Sequence, residues 1–465
     1  METAPPRVAI VGGGLAGMAA ALGLSQAGLK VTLIEARSKT GGRAGSFIDP
    51  TTGAEIDYCQ HVGMGCCTNL LDLLKRTGQL DDWRRYRSLT FIGPAGEVCP
   101  FAGSRWLPAP LHLMTAFSGL SYLSQDLRKM IAQGIWKLMR LRPEDQANWP
   151  TMQDWLTDAG QTEATIREFW DVILVSALGE ATDRVAVAPA RKVLVDGFLS
   201  HRDAGDVWVP QLPLSVLFGQ RLPDDLTRRG VEIRLSARTV GIESHGGRAT
   251  GVRLSDGSTI AADYLLIATP WHQLQNVLGD ASDAVDDGDA IASIPASPIT
   301  GIHLWCDRPL TDADHLVFVG RTIQWLFRPT FAGDQPGRIY HQIVISGSRD
   351  LPPRQQLLDQ VVGELRELLP AAREANVVAS RIVTNPKSVY SVSLATEKRR
   401  PAATTRLPNL WLAGDWTATG WPATMESAVI SGYRAADQIA DTLGRPCGNE
   451  QLALAKSWLA RLLVR

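Results

Sequence analysis

The sequence predicts an α/β protein in which a parallel-sheet domain is interleaved with an α+β domain that carries an antiparallel sheet and a helical region. Three observations predict it. A complete strand–helix–strand unit opens the chain, a cluster of strands lies in mid-chain, and a strand–turn–helix unit lies near the end. Helical and sheet segments fall between them, as they do when one domain is assembled from separated stretches of chain.

Residues 7–11, RVAIV, are a short apolar run that stops at glycine and read as a buried parallel strand. Residues 15–27 are rich in Ala and Leu and read as a helix, closed by Gly28. Residues 30–35, KVTLIE, read as the second strand, which completes a unit of about 30 residues. Residues 68–77 predict a helix capped by Thr68. Residues 112–141 read as mostly helical and amphipathic, and 151–180 as helical. Between 231 and 270 the pattern changes: VEIRLSARTVGIES, ATGVRLSDGSTI and DYLLIAT read as three strands, with Asp256-Gly257 as a hairpin turn. Residues 298–350 alternate apolar and polar positions and predict an antiparallel sheet, followed by a helix at 354–370. NLWLA, 409–413, reads as a buried strand and 423–441 as a helix. The expected division gives 1–88, 206–270 and 406–441 to the first domain, 89–205 and 271–405 to the second, and 442–465 to a helical tail.

At 465 residues the chain exceeds what one hydrophobic core organises, so two or three packed regions are expected. A hydrophobic share of 45% against 20% charged residues is that of a soluble globular protein. The net charge of -1 argues against nucleic acid as a partner, because phosphate binding calls for a basic excess. Six cysteines, at 59, 66, 67, 99, 306 and 447, form no CxxC pair and no zinc spacing; they read as reduced thiols, and no metal is expected. METAPPRVAIVGGG lacks the features of a signal peptide, and no run approaches the ~18 apolar residues of a membrane span. The expectation is a cytoplasmic protein, with a peripheral position on the inner face of the plasma membrane left open.

The motif Gly12-x-Gly14-x-x-Gly17 sits between the first strand and its helix. Gly12 permits the tight turn, Gly14 lets the backbone approach a pyrophosphate, and Gly17 lets helix and strand pack closely. The N–H groups of Leu15 and Ala16, at the start of the helix, face the anion. Glu35, about 20 residues on and followed by Ala36, stands where an acid binds ribose hydroxyls. Gly41-Gly42-Arg43 adds backbone freedom and an arginine suited to a phosphate or a flavin edge, which separates a flavin pattern from a plain NAD pattern. Far downstream, Gly414-Asp415 ends a strand, and Ala423-Thr424-Met425 begins a helix. Asp415 is suited to accept from ribityl hydroxyls, and the helix N-terminus to stabilise charge on reduced isoalloxazine.

VAIVGGGLAGMAAALGLSQAGLKVTLIEARSKTGGR and NLWLAGDWTATGWPATMESAVISGYRAA resemble the N- and C-terminal signatures of the flavin amine oxidase and phytoene desaturase superfamily. Arg238-Thr239-Val240 resembles the segment whose valine backbone meets the adenine there. The resemblance implies a Rossmann-like FAD-binding domain of the amine oxidase type, with FAD as a non-covalent cofactor. Within that superfamily, Asp57-Tyr58-Cys59-Gln60-His61 and Leu107–Leu113 resemble the squalene-associated FAD-dependent desaturases, the hydroxysqualene dehydroxylases; Cys59 stands where that group has glycine.

This second resemblance implies conversion of hydroxysqualene to squalene in squalene and hopanoid biosynthesis. The substrate is a long isoprenoid lipid, and a separate reductant recharges the flavin. An acid protonates the allylic hydroxyl, and the resulting cation accepts hydride from reduced flavin. His61 is one candidate for that acid, since imidazole titrates near working pH; shaping its own loop is the other role that fits it. Asp57 is the second candidate, with a loop-fixing role as its alternative. His112, Cys66 and Cys67 read as structural. Residues 112–141 either cover a substrate tunnel or face a membrane through Arg128, Lys129, Lys137 and Arg140. A carotenoid or phytoene desaturase or isomerase is the nearest rival activity. An amine oxidase, with Trp416 and Trp421 imitating its aromatic pair, comes after it.

Overall fold

The computed structural model describes residues 5–329, 331 and 337–465. Strands Arg7–Val11, Lys30–Ile34, Glu232–Arg234, Tyr264–Ile267 and Leu410–Leu412 form one parallel sheet, in the spatial order 232–234, 30–34, 7–11, 264–267, 410–412. Residues 8–11 and 31–34 are buried throughout, because a parallel sheet is covered on both faces and its strands read as unbroken apolar runs. Helix Leu15–Gln26 is buried from Leu15 to Leu24 and packs against helix Met425–Thr442. Their crossing is close enough that a Cβ on Gly432 would stand 2.1 Å from the Ala16 carbonyl oxygen. The first and last parts of the chain therefore share one core.

A seven-stranded sheet carries the second domain, in the order 377–390, 296–306, 339–346, 325–327, 315–318, 88–92, 98–102. Its pairs are antiparallel except one: strand His315–Phe318 runs parallel to Ser88–Ile92. The alternation at 298–350 reports strands and faces, but it carries no information on a partner brought from far upstream. Helix Arg354–Leu368 covers one face through Leu357, Val361, Leu365 and Leu368, spaced at helical period. Helices from 125 to 199 pack around Trp155 and Trp170 on the other side of the domain.

Three expectations are corrected and two, the helical stretches 112–141 and 151–180, are refined. Helix Thr68–Arg76 follows Cys67 and has no side-chain cap, so Thr68 is its first residue and not its cap. VEIRLSARTVGIES is two strands: Glu232–Arg234 joins the parallel sheet, and Thr239–His245 joins a separate sheet with Arg248–Leu254 and Thr259–Ala261. Ser236, at φ 54°, turns the chain between them. The stretch 112–141 is a short helix, Met114–Ser118, a loop, and helix Gln125–Arg140 capped by the Ser124 hydroxyl. The stretch 151–180 is interrupted at Gly160, whose φ is +83°. The tail is helical only at Trp458–Leu463.

Candidate cofactor and active site

The glycine turn is held by packing on two sides and open on the third. Gly12 donates its N–H to the Ile34 carbonyl at 2.8 Å, and its φ of +116° suits glycine alone. A Cβ there would meet the Ala268 carbonyl oxygen at 2.6 Å, and a Cβ on Gly17 would meet that of Gly12 at 1.9 Å. Gly14 differs: nothing lies within 4 Å of a Cβ placed on it. Gly42, at φ +62°, closes the far side of this slot, with its Cβ position 3.3 Å from the Gly14 Cα. No side chain caps helix Leu15–Gln26, so its first N–H groups, at Leu15, Ala16 and Gly17, remain to receive an anion. A slot that no protein atom fills, lined by N–H donors the helix itself does not use, fits a diphosphate.

Glu35 is buried and accepts the N–H of Gly13 and the N–H of Arg37, each at 2.8 Å, one on each oxygen. It holds the turn in place and keeps a lone pair on each oxygen for ribose hydroxyls. The exposed Ala36 follows it. Ser236 and Ala237 donate their N–H groups to the Arg37 and Glu35 carbonyls, which draws the mid-chain segment alongside. Val240 then falls where the ladder slips between Thr239 and Gly241. Its peptide is outside the pairing register, so its backbone is left to meet a base edge.

At the other end of the site Arg43 reaches Asp415. Its Nη2 lies 2.5 Å from Oδ1, its Nη1 donates to the Ser388 carbonyl at 2.9 Å, and the guanidinium sits 5.9 Å from the Trp271 ring centroid. Asp415 is 3% exposed. Gly414, at φ +143°, leaves the strand and donates its N–H to the Ser431 hydroxyl. Ala423 is buried beside the start of the next helix. There the Thr424 hydroxyl accepts the Ser427 N–H at 3.1 Å as a cap, and Met425 opens the helix. Trp416 is fully buried with its indole N–H on the Thr269 carbonyl, so it anchors this loop. Trp421 carries Lys192, with Nζ 4.7 Å from the ring centroid.

Arg400 was not legible as a site residue. Its side chain is 4% exposed, donates to the carbonyls of Asp415, Thr417 and Trp421, and pairs with Glu397 at 3.0 Å. It lies in the run Lys398-Arg399-Arg400-Pro401, which reads as a solvated charge cluster. Glu426 was also missed. It is buried and receives the N–H groups of Asn69 and Leu70, and burial pushes its carboxyl up to about 7.

The Tyr58 N–H donates to the Gly45 carbonyl at 3.1 Å, which ties the segment that carries His61 to the loop that carries Arg43. The His61 Nδ1 is 2.9 Å from the Cys59 carbonyl. A carbonyl only accepts, so Nδ1 carries the proton and Nε2 is the free nitrogen. Burial, with a smaller push from Arg43, holds its pKa below the ordinary imidazole value. Asp57 precedes Cys59 and His61 in the same segment. It is wholly buried, and its Oδ1 accepts the Ser46 hydroxyl at 2.5 Å and the Leu214 N–H at 3.0 Å. Burial raises its carboxyl to about 7. Such contacts fix strand Glu55–Asp57 against residue 214, and they place Asp57 in the scaffold beneath the loop that carries His61. Burial pushes the Cys59 thiol up to about 12, and the hydrogen bond with Cys66, followed by burial, holds Cys67 well above the ordinary thiol, so neither is a thiolate near neutrality. His112 is buried, and a Cβ on Gly103 would stand 2.9 Å from its ring.

The family model for flavin containing amine oxidoreductase matches residues 15–440. The chain is 26% identical to 15-cis-phytoene desaturase of Synechococcus elongatus, over 97% of this chain and 100% of that one. It is 26% identical to hydroxysqualene dehydroxylase of Zymomonas mobilis, over 92% and 97%. The fold of an oxidoreductase from Methanosarcina mazei superposes with a TM-score of 0.69 at 18% identity, covering 92% of this chain and 99% of that one. With its open glycine slot and a family match that runs through nearly the whole chain, this protein belongs to the flavin-containing amine oxidoreductase family and has FAD as its cofactor.

Proposed function

We propose that the protein is a hydroxysqualene dehydroxylase, removing an allylic hydroxyl from a long isoprenoid alcohol and replacing it with hydrogen. The observation that carries this reading is His61, whose Nδ1 is held by the Cys59 carbonyl, which makes Nε2 the nitrogen that can exchange a proton. Similarity to the Zymomonas mobilis dehydroxylase across nearly the full length of both chains supports it. FAD supplies the redox chemistry when bound, giving hydride in its reduced form and taking it in its oxidised form. Gly12, Gly14, Gly17, Glu35, Val240, Arg43 and Asp415 would hold it. The chain contributes the proton. His61 is neutral near pH 7 because its pKa is depressed; the fraction protonated at Nε2 is a strong acid, and it donates to the departing hydroxyl, which leaves as water. The C–O bond breaks, a C–H bond forms, and an external reductant restores the two electrons consumed.

A second reading, a carotenoid desaturase, draws on the equal identity to the phytoene desaturase. It runs the other way: neutral His61 would accept a proton as a C=C bond forms and electrons leave the substrate. The two readings differ in pH dependence as well as in product. The holoenzyme, reduced under anaerobic conditions, is incubated with hydroxysqualene, and the oxidised enzyme separately with phytoene. Squalene formation that rises as pH falls toward 6 and is lost in His61→Ala supports dehydroxylation. Desaturated phytoene without squalene would sink it.

A further inference from the structure

Two stretches far apart in the chain put large apolar side chains into solvent at one place. Trp106 is 93% exposed and Met114 58%, with Leu107 and Leu111 between them. Trp458 is 65% exposed and Leu462 67%; one helical turn apart, they share the outer face of helix Trp458–Leu463, while Ala460 and Val464 point inward. The stretches are joined: the Ser457 hydroxyl donates to the Ala109 carbonyl at 2.5 Å, and Leu113 packs into the cluster formed by Ala460 and Val464. The charge around them has one sign. No Asp or Glu occurs from Val98 to Gln125 or from Gln451 to Arg465, whereas Arg105, Lys456, Arg461 and Arg465 do. The nearby acids, Asp203 and Asp206, are engaged by Arg85 at 3.2 and 2.5 Å. Immediately beneath lies a small pocket of about 30 Å³, lined by Tyr86, Arg87, His112, Leu113, Arg202 and Asp206 among others, and Arg202 donates to the Arg105 carbonyl at 3.0 Å.

We propose that this surface, Arg105–Met114 together with Leu452–Arg465, docks the protein on an anionic lipid bilayer. Exposed tryptophan and leucine on two stretches that carry cations and no acids is the composition of an interfacial anchor: the rings enter the headgroup boundary and the cations meet phosphate. The surface differs from that expected for 112–141. There Arg128 donates to the Ser118 carbonyl, Lys137 to the Ala159 carbonyl, and Arg140 lies over Trp136; Arg461 likewise donates to the Lys456 carbonyl, so what sets the proposed surface apart is its cluster of exposed large apolar side chains. The proposal goes beyond the reading of the reaction and does not depend on it.

Flotation of the FAD-loaded protein with phosphatidylglycerol–phosphatidylcholine vesicles, and with pure phosphatidylcholine vesicles, tests it. Binding is expected to the anionic vesicles, to weaken with added salt, and to fall by roughly tenfold or more in the triple variant Trp106→Ser, Trp458→Ser, Leu462→Ser with flavin absorbance retained. In the unaltered protein, brominated lipid should quench tryptophan fluorescence, a readout independent of how the variant folds. Absence of binding to anionic vesicles, unchanged binding in the variant, or a solution dimer that the variant dissociates would overturn the proposal; the last would assign the surface to a second copy of the chain. Because no substrate is used, failure here leaves the dehydroxylation reading standing.

Discussion

Arg43 and Asp415, 372 positions apart, meet with Nη2 2.5 Å from Oδ1 and join the loop after the second strand to the loop after the last one. The carboxylate is almost fully buried, and the guanidinium is about one-quarter exposed. Removing the arginine leaves Asp415 charged, buried and unpartnered, a situation that costs about 3–5 kcal/mol when burial is complete. Arg43→Ala is therefore expected to lose FAD on gel filtration and to melt earlier than the unaltered protein. Arg43→Lys should be intermediate, because an ammonium cannot serve the Ser388 carbonyl and Asp415 in the same fork geometry. Differential scanning fluorimetry with and without added FAD measures both. Equal melting and equal FAD retention in all three proteins would remove the pair from the cofactor site.

Gly14 and Gly17 should separate binding from folding. A methyl group at Gly14 enters open space at a backbone of φ -80°, which any residue adopts. Gly14→Ala is expected to fold with a normal melting temperature as apoprotein, but to bind FAD at least about tenfold more weakly, since the methyl occupies the slot where pyrophosphate approaches. Gly17→Ala drives a Cβ to 1.9 Å from the Gly12 carbonyl oxygen and should destabilise the apoprotein itself. Apoprotein melting and FAD titration check the pair. A Gly14→Ala protein with unchanged FAD affinity would mean that the slot is not the diphosphate site.

Arg400 organises the segment that carries Asp415. Three carbonyl oxygens, of Asp415, Thr417 and Trp421, converge on its guanidinium. Arg400→Ala removes the donor they share and leaves each with one other, the Ser427 hydroxyl on Asp415, the Thr419 N–H on Thr417 and the Thr419 hydroxyl on Trp421. Losing hydrogen bonds to a buried charged group costs about 1.5–3 kcal/mol each before relaxation. The expected outcome is a lower melting temperature together with brighter flavin fluorescence as FAD escapes quenching by its site. Unaltered fluorescence would confine Arg400 to stability alone.

How far the sequence reached depended on whether a signal was local. The strand–helix–strand unit at 7–34, the strand at 410–412 and the helix expected at 423–441, found at Met425–Thr442, follow from apolar runs and glycine positions within a few residues of each element. The glycine turn was legible because each glycine answers a steric demand that the motif encodes. What failed was non-local. The break at Ser236 depends on where Glu35 and Arg37 offer carbonyls, and the parallel pairing of 315–318 depends on residues 88–92. Arg400 and Glu426 resemble surface charges in the sequence and are buried only because distant backbone groups surround them. The residues that build the cofactor end were thus named one at a time, while the contacts that bind Arg43, Asp415 and Arg400 into one unit required coordinates.

Asp57 offers a pH test of burial. Its carboxyl is raised to about 7 in the folded chain, against an ordinary value of 3.8. A carboxyl raised on folding holds its proton longer in the native state. The contribution it makes to stability is fully present below about pH 4, declines as pH rises, and is lost once pH passes the folded value near 7. Over that window the loss amounts to at most ~4 kcal/mol, at about 1.4 kcal/mol per unit. Asp57→Asn is neutral at every pH and keeps a side-chain oxygen to accept from Ser46 and Leu214. Other groups, including Glu426, tilt the stability curves of both proteins alike, so the difference between them isolates Asp57. Melting temperatures are to be compared from pH 4 to 8. The variant should gain steadily on the unaltered protein up to about pH 7 and hold a constant offset above it. A difference independent of pH would show that Asp57 ionises in the folded state as it does in water, and its place in the buried scaffold beneath His61 would have to be abandoned.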